Sequence, residues 1–256
     1  MHLYSITEIS SASKGFIHGE GPATLVIDKH LIFIIIKRYH GKEAGMIRGK
    51  DGTIIPKVVI ERLPRYYRYF DWLDGKVEKI SSKQLGEYMG ASASQVRLDL
   101  SYFGDFGQQG YGYNVKKLKR ELANILSINS ETSFIIIGAG NIGRAMTRYK
   151  AFTNSGFSLK AIFDINPSLR GQIISGTKIH HTDEMVQFIE KNQIDIAILA
   201  IPKEDANEVA HSLTEAGVKG ILNFAPLDLK AADRISVENI HIIDKMLALS
   251  FMIKGT

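Results

Sequence analysis

The chain has 256 residues, with 32 Lys/Arg against 27 Asp/Glu, 45% hydrophobic content and no cysteine. That length suits two modest domains, each burying its own core. Disulfides, thiolate zinc sites and cysteine-ligated clusters are excluded, so any redox role runs through a bound cofactor.

Residues 1–53 carry no nameable motif and are read as an extension of unknown role. They hold one β-like run, "HLIFIIIKRY", and its apolar part, Leu31 to Ile36, is too short to span a bilayer. No secretory pattern is visible either, so a cytoplasmic protein with no membrane partner is expected. Met46 lies just before the first strongly patterned segment. Residues 1–45 are expected to lie outside the folded core or to derive from an upstream start codon, the alternative being a short accessory hairpin.

Residues 54–127 form the first expected domain. "IPKVVIERLPRYYRYFDWLDGK" places Val59, Leu63, Tyr66, Tyr67, Phe70 and Leu73 on one helical face. Pro56 suits the first turn, Pro64 is expected to kink or divide the helix, and Gly75 offers a stop. In "ISSKQLGEYMGASASQVRLDLSYFG", Ser82 caps one short helix, "GAS" turns, and Ser92 or Ser94 caps a second helix burying Val96, Leu100 and Phe103. This is a helix-turn-helix layout. "GDFGQQGYGYNV" then reads as a β-hairpin, a wing, and "VKKLKRELANIL" as an amphipathic helix leading to the next domain.

Residues 54–127 carry 12 Lys/Arg against 8 Asp/Glu, while 128–256 carry 13 against 14. A basic first half joined to a near-neutral second half suits a nucleic-acid-facing module. On the second helix, Gln95 and Arg97 sit where a recognition helix meets base edges in the major groove. Lys83, Ser92, Ser94 and Tyr102 are assigned to phosphates.

Residues 128–242 alternate apolar strands (Phe134–Ile137, Leu159–Phe163, Ile194–Ile201, Ile221–Phe224) with helical patterns near 141–152, 183–192 and 204–216. That is the grammar of a doubly wound parallel α/β sheet. Gly138, Ala139, Gly140, Asn141, Ile142 and Gly143 spell GxGxxG between strand and helix, with Asp164 ending the next strand. The glycines allow the tight turn, the approach of a pyrophosphate and close helix–strand packing; the acid accepts ribose hydroxyls, favouring NAD over NADP. His180 and His181 are read on a turn, His211 on a helix and His241 entering the last strand. None makes a catalytic pair, so the loop is expected to sense a dinucleotide rather than to transfer hydride. An NAD-dependent oxidoreductase with a regulatory domain is the alternative. No metal is expected. Residues 243–256, "DKMLALSFMIKG" in the main, form a helix apolar almost all round, which calls for burial, against a partner subunit where its own domain is already complete.

In order, "IPKVVIERLPRYYRYF", "SSKQLGEYMGASASQVRLDLSYFGDFGQQGYGYNV", "IIIGAGNIGRAM", "AIFDINP", "AILAIP" and "GVKGILNFAPLDL" closely resemble the redox-sensing transcriptional repressor family Rex over roughly residues 54–254. The resemblance implies a homodimer with an N-terminal winged helix, a Rossmann domain binding NAD and NADH, and a C-terminal domain-swapped helix. It implies binding to palindromic double-stranded operator DNA, released when NADH rises. By that likeness "NFAP" (Asn223, Phe224, Ala225, Pro226) lies near the nicotinamide, and Arg68, Tyr149 and Asp244 match a proposed switch. The wing residues Gln108 and Gln109 stand where the family usually carries cations. Leu98 and Lys245 also depart from its pattern, which puts DNA affinity and packing near the nicotinamide in question.

Overall fold

The computed structural model describes residues 47–49, 52–108, 111–230 and 234–255, all within one compact unit. The "HLIFIIIKRY" run and the expectations for residues 1–45 lie outside the described residues. Ile47–Gly49 fold back on Thr53–Ile55, with Gly49 N–H donating to Thr53 O (2.7 Å) and Ile55 N–H to Ile47 O (2.8 Å).

Helix α1 (Lys57–Leu73) buries Val59, Leu63, Tyr66, Phe70 and Leu73, the stripe expected from the sequence apart from half-buried Tyr67. Pro64 does not divide it: the helix is continuous for 17 residues, and Pro56 is its N-cap rather than its first helical residue. One lost N–H bond is outweighed by the apolar stripe running through both halves. After β1 (Lys79–Ile80), helix α2 (Ser82–Met89) is capped by Ser81, one residue earlier than expected. Ser81 Oγ accepts from Gln84 N (3.2 Å) and Gln84 Oε1 accepts from Ser81 N (3.0 Å), a reciprocal capping box. Gly90 at φ 66° ends α2, and α3 (Ala93–Ser101) starts from the Ser92 cap. Phe103, expected buried, is half-buried. Strands β2 (Gly107–Gln108) and β3 (Gly112–Asn114) pair antiparallel as the wing, with sheet order β1-β3-β2. Helix α4 (Val115–Ile125) packs against α1, and its Val115, Leu118 and Leu122 complete this core.

The second core is a seven-stranded sheet. Its strands are β4 (Thr132–Ile137), β5 (Phe157–Asp164), β6 (Ile173–Ile174), β7 (Thr177–His181), β8 (Ile196–Leu199), β9 (Gly220–Asn223) and β10 (Ser236–Asn239). The order is β10-β9-β8-β4-β5-β7-β6, parallel except for the β6–β7 hairpin. Ile135, Ile137, Phe163 and Leu199 face one hydrophobic layer, while Phe134, Ile136, Ile162 and Ile198 face the other. Both faces are therefore covered, which is why these strands read as unbroken apolar runs. Helices α5 (Asn141–Thr147), α6 (Ala151–Asn154), α7 (Met185–Asn192) and α8 (Lys203–Glu215) make the crossovers. His180 and His181 belong to β7, not to a turn. His241 caps the last helix, α9 (Ile242–Lys254), instead of entering a strand.

No residue of α9 is buried, although Ile242, Ile243, Met246, Leu247, Phe251 and Ile253 lie on it. Lys57 at the start of α1 reaches Glu238 on β10, Nζ to Oε1 2.8 Å, linking the first domain to the edge of the second.

Candidate functional site

The strand order reverses between β4 and β8, and ligands of open parallel sheets bind at the carboxyl ends of the strands at such a point. Gly138 leaves β4 there with φ +100°, and a Cβ on it would lie 2.3 Å from Ala200 O, just beyond β8. A Cβ on Gly143 would lie 1.9 Å from Gly138 O, so the helix can approach the strand only through glycine. Gly140, the N-cap of α5, has nothing within 4 Å of an added Cβ. Two glycines are thus demanded by packing within the protein. The third borders open space at a helix start whose first-turn N–H groups lack intrahelical acceptors.

Asp164 ends β5 beside this loop. Its Oδ2 accepts from Ala139 N (2.7 Å) and its Oδ1 from Asn166 N (2.8 Å), so the carboxylate is fixed by backbone and keeps lone pairs for further donors. Arg144 Nε donates to Ala139 O (2.8 Å), bracing the loop from its other side. The loop, the open space at Gly140 and the acid fit the pyrophosphate and ribose of a dinucleotide.

The "NFAP" segment follows β9. Asn223 is fully buried and its side chain is spent on the turn: Nδ2 donates to Leu227 O and Asn239 Oδ1 (both 2.8 Å), and Oδ1 accepts from Ala225 N (2.9 Å). Ala225 is buried, Phe224 half-buried and Pro226 exposed. Asn223 therefore shapes this loop rather than offering its amide outward.

Tyr149 is 58% exposed and packs edge-on against Phe152 (ring centroids 5.4 Å apart). Arg68 and Asp244 are exposed on α1 and α9. Among the described residues, no hydrogen bond or ion pair joins Arg68, Tyr149 and Asp244 within one chain. Three of the four described histidines are engaged locally: His180 Nδ1 with Glu184 Oε2 (3.0 Å), His181 Nε2 with Ile165 O (3.0 Å), and His241 Nε2 with Asp228 Oδ1 (2.9 Å), while His211 is exposed on α8. No cluster of His, Asp or Glu among the described residues could hold a metal, and no helix there is long and apolar enough to cross a membrane.

On the helix-turn-helix, Lys83, Ser92, Ser94 and Arg97 are exposed, and Tyr102 is half-buried at the end of α3. Ser92 Oγ accepts from Gln95 N (3.1 Å), which leaves its hydroxyl proton free for an outside acceptor. The Arg97 guanidinium is held by Ser82 Oγ (3.0 Å) and Ser94 Oγ (3.1 Å). Gln108 lies on β2 of the wing, and Gln109 lies outside the described residues. Gln95, expected exposed, is half-buried.

What turns Gln95 inward is Asp99, a residue the sequence reading passed over. Asp99 is 0% exposed and takes four hydrogen bonds: Arg62 Nε (2.6 Å) and Tyr66 Oη (2.9 Å) on Oδ2, Arg62 Nη2 and Gln95 Nε2 (both 2.7 Å) on Oδ1. Burial pushes the Asp99 carboxyl up, but Arg62, Gln95 and Tyr66 outweigh it and hold it below the usual carboxylate range. Burial, then the bond to Asp99, pushes the Tyr66 phenol well up. The only sequence signal was an acid between Val96 and Leu100 on an otherwise apolar face.

Fold and sites together define a winged-helix protein joined to a Rossmann-type α/β domain with a dinucleotide-style glycine loop. A family model described as "Putative DNA-binding protein N-terminus" matches residues 54–101, and one described as "CoA binding domain" matches residues 129–227. The redox-sensing transcriptional repressor Rex of Clostridium novyi (strain NT) is 46% identical over 202 residues, 78% of this chain and 96% of that protein. Rex of Clostridium botulinum (strain Hall) is 48% identical over 203 residues, 79% and 97% of the two chains. The solved structure of RSP with β-NAD+ and operator DNA aligns with a TM-score of 0.76 and 48% identity, covering 79% of this chain and 94% of that one. RSP with β-NADH aligns with a TM-score of 0.73 and 45% identity, covering 79% and 96%. The chain belongs to the Rex family of redox-sensing transcriptional repressors.

Proposed function

We propose that this chain is a repressor that binds palindromic operator DNA as a homodimer in the cytoplasm and releases it when NADH binds. The observation that carries this is the pairing, in one chain, of a winged helix with a glycine loop and the adjacent Asp164 carboxylate at the sheet's crossover point. The alignment with RSP, solved with both β-NAD+ and operator DNA, runs across both halves.

Residues 54–127 act as the DNA-binding domain, 128–242 as the dinucleotide domain and 243–256 as the helix exchanged between subunits. The first-turn amides around Gly140, Asn141 and Ile142 hold the pyrophosphate, and Asp164 takes the ribose hydroxyls. Phe224 and Pro226, in the loop shaped by Asn223 and Ala225, border the nicotinamide. Arg97 and Gln95 meet base edges, while Lys83, Ser92, Ser94, Tyr102 and the wing Gln108 and Gln109 meet phosphates. The exposed apolar face of α9 is covered by a second copy, and Arg68, Tyr149 and Asp244, apart within one chain, meet only in that pair.

A ligand shifts a two-state equilibrium only through its differential affinity. The loop must therefore hold NADH more tightly in the arrangement that spoils half-site spacing. Nicotinamide loses its positive charge on reduction, and an apolar dimer centre built by α9 favours the uncharged form. With His180, His181 and His241 committed to Glu184, Ile165 and Asp228, and His211 on the exposed face of α8, the protein is proposed to do no chemistry on the nucleotide. The test is binding to a palindromic duplex with NAD, with NADH and with neither. Binding kept with NAD and lost with NADH is expected, without NADH consumption; no duplex binding at low salt overturns the proposal.

A further inference from the structure

A free glutamine amide is ambiguous, because rotation by half a turn exchanges its oxygen and nitrogen. Gln95 is not free. Its nitrogen lies 2.7 Å from Asp99 Oδ1, and turning the amide over would set its oxygen against a buried carboxylate. Asp99 cannot turn away, since the Arg62 fork grips both its oxygens and Tyr66 Oη holds one of them. The fork fixes the plane of the carboxylate, which a single point charge could not do.

From this we infer that Asp99, braced by Arg62 and Tyr66, is a positioning residue that sets which edge of Gln95 the recognition helix presents to a base pair. With one N–H spent on Asp99, Gln95 keeps its carbonyl oxygen and one N–H. An adjacent acceptor and donor match the N6 donor and N7 acceptor of adenine, whereas guanine offers two acceptors on that edge. The locked amide therefore selects A·T over G·C at one position in each half-site. The inference rests on the reading that α3 enters the major groove of operator DNA.

Replacing Asp99 by asparagine alters the logic in a defined way. The new amide keeps its oxygen toward Arg62 Nε and Tyr66 Oη and turns an N–H toward Gln95, giving up the bond from Arg62 Nη2. Gln95 must then turn its own oxygen inward, leaving donors outward, the complement of guanine. The experiment selects bound sequences from a duplex library with randomised half-sites, using the full-length native protein, Gln95→Ala, Asp99→Asn and the double variant. Thermal stability and affinity for a scrambled duplex are measured alongside.

The native protein is expected to prefer adenine at one half-site position by roughly 5- to 150-fold, and Gln95→Ala to lose that preference. Asp99→Asn is expected to move the same position towards guanine, with no further effect once Gln95 is alanine. A purely structural Asp99 would instead weaken all positions together and add to the loss from Gln95→Ala, which would overturn the inference. If Asp99→Asn does not fold, Arg62→Lys decides: it frees the carboxylate to rotate, and partial loss at that one position supports the inference, while an unchanged profile overturns it. Failure of the native protein to bind any duplex would instead sink the functional reading beneath it.

Discussion

A Cβ on Gly143 would lie 1.9 Å from the Gly138 carbonyl oxygen, whereas one on Gly140 would meet nothing within 4 Å. The two substitutions should therefore separate folding from binding. Gly143→Ala is expected to lose about 1–3 kcal/mol of stability, lowering the melting temperature by several degrees. Gly140→Ala should melt like the native protein but bind NADH less tightly, because its methyl enters the space left for the pyrophosphate. Thermal unfolding and NADH fluorescence titration read the two effects. Acid should also unfold the protein through buried Asp99 and half-buried Asp195. Burial raises the Asp195 carboxyl, but Lys219 and the Ser133 backbone and hydroxyl bring it below its ordinary value, as the Arg62 network does for Asp99. A depressed folded value contributes stability above the unfolded aspartate pKa of about 3.9 and loses it as pH falls through the folded value. Denaturant midpoints should therefore drop steeply below about pH 4, and little between pH 5 and 7 on account of these two groups. At this scale the glycine loop was legible in sequence because its logic is local. Asp99 was not, since Tyr66 and Arg62 stand 33 and 37 residues away and no period connects them.

At the scale of elements, Ser81 and not Ser82 caps α2, so Ser81→Ala should cost about 1 kcal/mol while Ser82→Ala costs less. Ser82 has a different task, holding Arg97, and its loss should show in duplex affinity rather than in melting. The two serines have the same propensity, but the capping-box spacing picks Ser81, since Gln84 stands three residues after it and Leu85 three after Ser82. The four central strands were legible because burial on both faces forces continuous apolar runs. The outer strands β6, β7 and β10 were not. "TKIHH" and "SVEN" lie toward the margins of the sheet, where polar side chains are tolerated and the apolar signal fades.

For the whole molecule, the apolar composition of α9 marked it as a helix in need of cover, and none of its residues is buried; Phe251 is 79% exposed. Leu247→Asp with Phe251→Asp is expected to give a folded monomer by light scattering, with weakened duplex binding and no NADH response. The Lys57–Glu238 pair, exposed on both sides, should add less than about 1 kcal/mol to stability.

The bare face of α9 also makes the amount of protein a physical variable. If two chains cover each other there, dissociation returns the large apolar side chains of α9 to water, and the melting temperature should climb as the protein is concentrated. Operator occupancy would then depend on chain abundance more steeply than first order. A cell that dilutes this protein through growth would loosen repression with no change in its nucleotide pool, so copy number and redox state would act on the same promoter as two separate dials.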